Sequence, residues 1–238
     1  MFNKEQIISL IDLTLLDEQG HFSEIEALCQ KANHIDIPVA SICIYSRFIQ
    51  KAQAILDKQI PIATVINFPN GDQPVSNVIQ EAEFALNQGA DEIDLVIPYQ
   101  NYLLSNQTDE QSIELIKQIK AMCHDKILKV IIESGELKSS QLIKQASIDA
   151  VLAGADFIKT STGKVVVGAT LDAASVMLDV IKDCQNQGVL CGFKASGGIR
   201  TPKDAINYLE LAQEKLGDDF IHRKTFRFGA SSLLDDLI

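Results

Sequence analysis

The sequence has no excess of basic residues. Among its 238 residues, 21 Lys and Arg stand against 32 Asp and Glu, for a formal net charge of −11. Proteins that bind nucleic acid or an anionic membrane surface do so through a basic stripe that neutralises phosphates. The charge balance therefore argues against both partners. An anionic substrate would have to be held by a local site.

Paired cysteines and metal-binding clusters are also missing. The five cysteines are odd in number, widely spaced and without a C-x-x-C, which is typical of free thiols in a reducing compartment. The four histidines are scattered and no H-E-x-x-H occurs. Since zinc sites are built from such Cys and His clusters, the sequence predicts no metal centre.

No apolar stretch approaches the roughly 20 residues that cross a membrane. The N-terminal apolar run, residues 7–16, is interrupted by Asp12 and has neither a basic start nor a small-residue cleavage site, so we expect no signal peptide. The chain also has no Pro/Ser-rich linker and no low-complexity segment. We therefore expect a cytoplasmic protein with one domain over residues 1–238.

Common phosphate-binding and nucleophile motifs are incomplete or absent. The tetrapeptide STGK (161–164) resembles the end of a P-loop, but Ile158 stands where that motif needs glycine and Val165 where it needs Ser or Thr. Neither G-x-G-x-x-G nor G-x-S-x-G is present.

What the sequence does contain is a regular alternation of short apolar runs and amphipathic stretches. Eight runs are near-continuously apolar, as parallel strands buried on both faces are. They lie at 9–16, 39–45, 62–68, 92–98, 128–134, 156–162, 190–196 and 226–232. Helical spacing lies between them at 21–33, 75–89, 109–123, 139–154, 170–188 and 201–217, with capping-box spacing at Ser23 and Glu26 in the first of these.

This alternation predicts an α/β fold with a parallel sheet. Eight repeats favour a closed (β/α)8 TIM barrel over an open doubly wound sheet, which remains the alternative. An additional N-terminal helix over residues 2–9 is expected to cover the bottom of the barrel.

Several predicted strands carry an ionisable residue where an apolar one would pack better. These residues are Asp12, Asp94, Lys129, Lys159 and Lys194. Each one alone could be a strand-end side chain in solvent or half of a structural ion pair. Together they predict a shared interior network near the C-terminal ends of the strands, where barrel enzymes bind their ligands. A faint repeat, GADEIDLV (89–96) and GADFIKTS (154–161), places Asp94 and Lys159 at equivalent positions of two strands.

A lysine in such surroundings suggests Schiff-base chemistry. A neutral amine can attack a carbonyl, and it is neutral near pH 7 only if its pKa falls by a few units. Apolar walls and a second ammonium both lower it. Apolar residues precede Lys159 in its strand, and Lys194 is the candidate second cation. Asp94 could carry protons together with a water molecule.

Two glycine-containing segments follow strands seven and eight, where barrels often bind phosphate. They are SGGIR (196–200) and GASSLLDDL (229–237), and their candidate residues are Gly197, Gly198, Gly229, Ser231 and Ser232, the last three beginning a short final helix. Two ordinary glycine turns are the alternative. Cys43 on strand two could also face the site, although a packed core thiol is the favoured interpretation.

Seven segments of the chain resemble the deoxyribose-phosphate aldolases, a family of class I aldolases. They are SICIYSRFI (41–49), ATVINFPNG (63–71), ADEIDLVIPY (90–99), LKVIIESGELK (128–138), GADFIKTSTGK (154–164), GFKASGGIRT (192–201) and RFGASSLL (227–234). The resemblance runs from about residue 11 to residue 232. It implies the reversible cleavage of 2-deoxy-D-ribose 5-phosphate to acetaldehyde and D-glyceraldehyde 3-phosphate, with no metal or organic cofactor.

The resemblance also implies residue roles. Lys159 would form the Schiff base, Lys194 would depress its pKa and Asp94 would act in the proton relay. It further places Asp12, Cys43, Thr162 and Lys164 around the substrate, Lys129 in the supporting network, and the phosphate on Gly197, Gly198, Ser231 and Ser232. Members of the family are often dimers, so a homodimer is expected.

Two departures from the family pattern accompany these implications. Many relatives read G-F-K-P-A-G-G, whereas this chain has Ala195 and Ser196, so we expect a looser backbone beside Lys194 and an altered affinity. The sequence ends six residues after Ser232, whereas some relatives carry a longer tail ending in tyrosine, so any contribution of such a tail is expected to be absent or replaced.

Three other functions stay open on the residues alone. They are a Schiff-base aldolase with a ketone donor, a sugar-phosphate isomerase without covalent chemistry, and a non-catalytic sugar-phosphate sensor. Fold by itself does not separate them, because one barrel hosts many activities.

Overall fold

A computed structural model describes residues 2–238 as a closed barrel of eight parallel strands in sequential order. The strands are β1 Ile11–Leu15, β2 Ser41–Ile44, β3 Ile62–Ile66, β4 Glu92–Val96, β5 Ile127–Ile131, β6 Phe157–Lys159, β7 Gly192–Ser196 and β8 Phe226–Ala230. The predicted (β/α)8 barrel is confirmed, and all eight predicted strands are present. All eight are shorter than predicted, in most cases because the last residues of the predicted run belong to the following loop.

Ten α-helices accompany the strands within residues 2–238. They are α1 Lys4–Ser9, α2 Phe22–Asn33, α3 Ile49–Gln53, α4 Val75–Asn87, α5 Gln100–Ser105, α6 Glu110–Cys123, α7 Ser134–Leu137, α8 Ser140–Leu152, α9 Leu171–Gln185 and α10 Pro202–Leu216. The six predicted helices between strands and the additional N-terminal helix are all found. The short helices α3, α5 and α7 were not predicted, since four to six residues are too few to show helical periodicity.

Local capping explains where several helices begin. Thr201 caps α10 with its hydroxyl, and Pro202 occupies the first helical position as predicted. The capping box predicted for α2 was placed two residues too late in the sequence. The N-cap residue is His21, and the Glu24 carboxylate accepts the backbone N–H of His21 at 2.8 Å. Ser23 and Glu26 therefore do not form the capping box.

Side chains alternate between the barrel interior and the helix layer along each strand. On β7 and β8, Phe193, Phe226 and Phe228 pack in the main apolar cluster, with ring centroids 5.7 and 5.0 Å apart. Lys194, next to Phe193, and Arg227, between Phe226 and Phe228, are directly paired in register and join ion pairs of the interior. The apolar layer between strands and helices thus leaves the barrel interior free for charged groups. No helix within residues 2–238 is long and apolar enough to cross a membrane.

Candidate active site

A pocket of about 510 Å³ opens at the C-terminal face of the barrel. Its walls come from the loops after β1, β6, β7 and β8. The predicted site residues that line it are Lys159, Thr162, Lys164, Gly197, Gly198, Gly229 and Ser231. Ser232, which directly follows Ser231, does not line the pocket.

Lys159 ends strand β6 and is the ionisable barrel residue that reaches this pocket. Its side chain is 4% exposed, and Nζ donates to Oδ2 of Asp94 at 2.7 Å. Burial lowers the pKa of the Lys159 amine, Asp94 opposes this effect, and the nearby Lys194 lowers the pKa further. The net shift is downward, so the amine loses its proton more readily than an ordinary lysine does.

Lys194 and Lys129 stay protonated for the opposite reason. Burial works against both ammonium groups, but neighbouring carboxylates outweigh it and hold the pKa of each lysine above its usual value. Lys194 Nζ lies 2.5 Å from Asp12 and 2.8 Å from Asp94. Lys129 Nζ lies 2.8 Å from the other oxygen of Asp94. Asp94 therefore contacts three amines, of which two have a raised pKa and one, that of Lys159, a lowered pKa.

The same cations determine the state of the two aspartates. Burial raises the pKa of a carboxyl group, yet the surrounding ammonium and guanidinium groups bring the pKa of Asp12 and of Asp94 below the ordinary value. Both aspartates are fully buried. They are ionised acceptors in the folded protein at neutral pH.

Two residues that the sequence did not single out complete this cluster. Arg227 donates to Asp12 at 2.6 Å and to Glu92 at 3.1 Å, and Glu92 also accepts from Lys129 at 2.5 Å. The result is a closed cycle of alternating charges, which we call the ion ring: Asp12, Lys194, Asp94, Lys129, Glu92 and Arg227.

A period-two pattern could have revealed both missed residues. Glu92 precedes Asp94 by two positions on one strand, so both side chains point to the same side of the sheet. Arg227 stands between two phenylalanines, just as Lys194 stands between Phe193 and an alanine.

Glu133 is a third residue that the sequence analysis missed. It is fully buried at a left-handed backbone position with φ 51°, two residues after the end of β5. Its carboxylate accepts the hydroxyl of Thr162 at 2.6 Å and the backbone N–H of Thr162 at 3.2 Å, and burial raises its pKa. The Thr162 hydroxyl in turn accepts the N–H of Lys164 at 3.0 Å. Glu133 thus anchors the loop that carries two pocket residues.

The glycine loops after β7 and β8 provide close backbone approaches at the pocket. Gly197 and Gly198 adopt φ of 86° and 91°, a region that favours glycine. A Cβ on Gly229 would come within 2.7 Å of the Ser196 Cβ and 3.1 Å of the Lys194 Cε. A short final helix is present as a 3-10 turn, Leu233–Asp236, which Ser232 precedes. The prediction of its start was wrong for Gly229 and Ser231, because Gly229 belongs to β8 and the turn begins at Leu233.

The Ala195 and Ser196 positions lie inside a paired strand. Ser196 donates its hydroxyl to the carbonyl of Ser161 at 2.5 Å, and its N–H reaches the hydroxyl of Thr160 at 3.0 Å. The Ser196 hydroxyl is therefore held by a residue of the loop that follows β6. These contacts tie the end of β7 to that loop.

Three residues expected around the substrate or in its support lie beneath the pocket. Asp12, Cys43 and Lys129 are fully buried and do not line the pocket wall. Burial raises the pKa of the Cys43 thiol to about 11, and the side chain packs with Leu16 and Val65. Lys164 lines the pocket and donates Nζ to the carbonyl of Leu16 at 2.6 Å.

Fold and site together define an α/β-barrel protein with a buried lysine of lowered pKa opening onto a pocket at the C-terminal face. A model of the DeoC/LacD family aldolases matches residues 6–237, and the chain belongs to this family.

Individual relatives agree with this membership. The chain is 47% identical over 235 residues to the deoxyribose-phosphate aldolase of Agrobacterium fabrum (strain C58 / ATCC 33970), covering 97% of this chain and 88% of the relative. A solved structure from Coccidioides immitis, provisionally assigned as a deoxyribose-phosphate aldolase, is 29% identical with TM-score 0.84, covering 99% and 85%. The apo form of a Toxoplasma gondii ME49 protein with the same provisional assignment is 24% identical with TM-score 0.90, covering 98% and 93%, and supports the fold.

Removing the Asp12 carboxylate should show how much the ion ring contributes to the free energy of unfolding. Asp12→Asn leaves Lys194 and Arg227 without a shared anion, and breaking a buried ion pair on one side costs about 3–5 kcal/mol. The folded-state pKa of Asp12 is depressed, so its contribution is complete above about pH 4 and is lost as the pH falls through the folded-state pKa. Urea unfolding should show the full deficit at neutral pH and a smaller one at about pH 3.

The matched control is Asp179→Asn. Asp179 pairs with Lys215 at 2.5 Å on the surface, where the Asp179 side chain is 58% exposed. Such pairs contribute about 0–1 kcal/mol. Equal losses in the two variants would contradict the interpretation.

Proposed function

We propose that this protein catalyses the reversible cleavage of 2-deoxy-D-ribose 5-phosphate into acetaldehyde and D-glyceraldehyde 3-phosphate through an imine on Lys159. The observation that carries the proposal is the Lys159 amine, which opens onto the pocket, contacts Asp94 at 2.7 Å and has a lowered pKa. Membership of an aldolase family and 47% identity to a deoxyribose-phosphate aldolase support the substrate.

The reaction begins with the neutral amine. Its lone pair attacks the aldehyde carbon of the open-chain sugar, and loss of water from the carbinolamine yields the protonated imine. The hydroxyl on the third carbon then gives up its proton, and the bond between the second and third carbons breaks. The electron pair of that bond moves toward the imine nitrogen, so glyceraldehyde 3-phosphate leaves and an enamine remains. Protonation of the enamine carbon and hydrolysis release acetaldehyde and restore the amine.

Asp94 is the proposed proton carrier in this cycle. Its Oδ2 lies 2.7 Å from Lys159 and 2.8 Å from Lys194, so one oxygen connects the nucleophile to the second lysine. A proton released by Lys159 has an acceptor within hydrogen-bond reach, as general acid–base catalysis requires. Lys194 keeps its own charge and favours the neutral form of Lys159. Arginine could not replace Lys159, because it does not deprotonate.

The phosphate is proposed to lie between the two glycine loops. Gly197 and Gly198 line the pocket with positive φ, and Ser231 faces them from the loop after β8. Backbone N–H groups that meet no side chain can approach phosphate oxygens closely. Lys164 lines the same pocket and supplies a positive charge in a chain that is acidic overall.

Reductive trapping tests the imine and its position together. The protein is incubated with acetaldehyde, reduced with borohydride, digested and analysed by mass spectrometry. We expect an ethyl group on Lys159, because hydride adds to the imine carbon and leaves a stable secondary amine. The label should disappear without reductant and in Lys159→Arg.

Each rival function predicts a different result. Label on Lys194 or Lys129 would retain the aldolase but reassign the nucleophile. A folded protein without selective label would favour the isomerase or the sensor, whereas a preference for ketone over acetaldehyde donors would identify a different Schiff-base aldolase.

Ser231→Ala tests the phosphate site. A hydrogen bond to a charged group contributes about 1.5–3 kcal/mol, so KM for the phosphorylated sugar should rise about tenfold or more. KM for unphosphorylated 2-deoxy-D-ribose should stay nearly constant. Ser232→Ala is the matched control, since Ser232 lies outside the pocket wall. An equal loss for both sugars in Ser231→Ala would argue against phosphate contact.

The organisation of the active protein is a further part of the proposal. We infer a single-domain homodimer acting in the cytoplasm, since the barrel strands run through the whole chain and family members are often dimers. Light scattering coupled to size-exclusion chromatography should give twice the 26.1 kDa chain mass, and a monomer mass would reject the dimer.

A further inference from the structure

The ion ring is balanced in charge within itself. Its three carboxylates and three cations alternate, and each member contacts both of its neighbours in the cycle. Arg227 contacts Asp12 and Glu92, and Lys129 contacts Glu92 and Asp94. All six side chains are at most 4% exposed. Buried charges are tolerated only when they are paired and hydrogen-bonded, and the closed cycle meets that condition for every member.

Lys159 stands outside this balance. It contacts the ring at one atom, Oδ2 of Asp94, which Lys194 already shares. Among residues 2–238, every other base of the cluster contacts at least two carboxylates, and Lys159 contacts one. A proton on Lys159 therefore adds a charge that the ring does not compensate.

We propose that Glu92 and Arg227 are positioning residues for the aldolase reaction, because they close the ion ring and so leave Lys159 as the base without a counterion of its own. The inference rests on the proposed function and extends it to two residues that do not line the pocket. Glu92 acts through Lys129 and Asp94. Arg227 acts through Asp12 and Lys194.

The ion ring is closed by the contact between Glu92 and Arg227, which lies on the side of the cycle opposite Asp94. Without Glu92, Lys129 would have Asp94 as its nearest carboxylate, at 2.8 Å against 3.5 Å for Asp12. Asp94 would then have less negative charge to offer Lys159. Without Arg227, Asp12 would keep Lys194 as its close partner at 2.5 Å, and the ring would carry an excess negative charge. The two losses thus act on Lys159 in opposite directions.

Other groups near Lys159 belong to other elements. Asp94 on β4 and Lys194 on β7 are its ionic neighbours, and Cys43 on β2 lies close enough to influence its charge. The charge of Lys159 also affects the pKa of Glu133, which lies after β5. Glu133, however, accepts a hydrogen bond from Thr162 and joins no ion pair within residues 2–238. Within residues 2–238, neither Cys43 nor Glu133 forms an ion pair or a hydrogen bond with Glu92 or Arg227, so changes at those two residues reach Lys159 through Asp94 and Lys194.

The test is the acidic limb of the pH profile of kcat/KM for 2-deoxy-D-ribose 5-phosphate cleavage, which reports the ionisation of the free enzyme's essential base. Glu92→Gln leaves the ring one charge more positive and should move the limb to lower pH. Arg227→Gln leaves it one charge more negative and should move the limb to higher pH. Each shift should be about one pH unit, the size expected for one charge across a partly screened protein interior.

Three further variants separate charge balance from packing. The Glu92→Gln/Arg227→Gln double variant is balanced again, so its limb should return to the wild-type position even where stability does not. Arg227→Lys keeps the charge and should keep the position of the limb. Lys215→Gln removes a positive charge from the surface pair with Asp179 and should leave the limb in place.

Two outcomes would overturn the inference. They are a uniform loss of kcat/KM at all pH values with an unmoved limb, and shifts of the same sign in both single variants. If a single variant does not fold, the thermal unfolding of the double variant is the test. Because the double variant restores the charge balance of the ring, it should unfold at a higher temperature than either single variant, and a lower temperature would contradict the inference.

The inference can fail separately from the proposed function. Trapping of acetaldehyde on Lys159 in the unaltered protein is measured first, and its absence rejects the aldolase. Trapping on Lys159 with an unmoved limb rejects only the role of Glu92 and Arg227.

Discussion

One carboxylate, that of Asp94, connects all of the charged chemistry in this barrel. Its two oxygens lie within 2.8 Å of three lysine amines from three different strands. A single negative charge cannot compensate three ammonium groups in a buried site. Lys129 and Lys194 have second carboxylates, whereas Lys159 does not. Burial lowers the pKa of Lys159, and the single shared carboxylate beside Lys194 does not offset this effect.

The barrel makes such an arrangement possible because its interior is separate from its apolar core. Strand residues alternate, so apolar side chains fill the layer under the helices while the intervening ones point inward. Parallel register then brings residues from distant parts of the sequence to one height. Asp94 is paired with Lys129, and Lys194 is paired with both Lys159 and Arg227. A closed barrel also allows the ionic contacts to close into a cycle, which an open sheet would not.

The ion ring and the pocket occupy different depths of the molecule. The ion ring lies in the buried interior, whereas the pocket is lined by loops after β1, β6, β7 and β8. Lys159 belongs to both levels, because its amine contacts Asp94 below and the pocket above. Glu133 adds a third element by holding Thr162 and, through it, the Lys164 loop. Loop changes can therefore alter affinity while the charge arrangement of the interior is preserved.

The sequence by itself determined the alternation of strands and helices, the closed barrel and the ionisable residues of the apolar strands, because periodicity and composition are local properties. It also determined the equivalence of Asp94 and Lys159, since the repeated G-A-D segment places both at the same position of a strand. Only the tertiary structure decided that Glu92 and Arg227 complete the ion ring, that Cys43 lies beneath the pocket and that Ser231 rather than Ser232 lines it. These facts depend on strand register and loop conformation, which bring together residues as far apart in sequence as Asp12 and Arg227. A pattern read along the chain cannot show which distant charges meet, because that is decided by closure of the barrel.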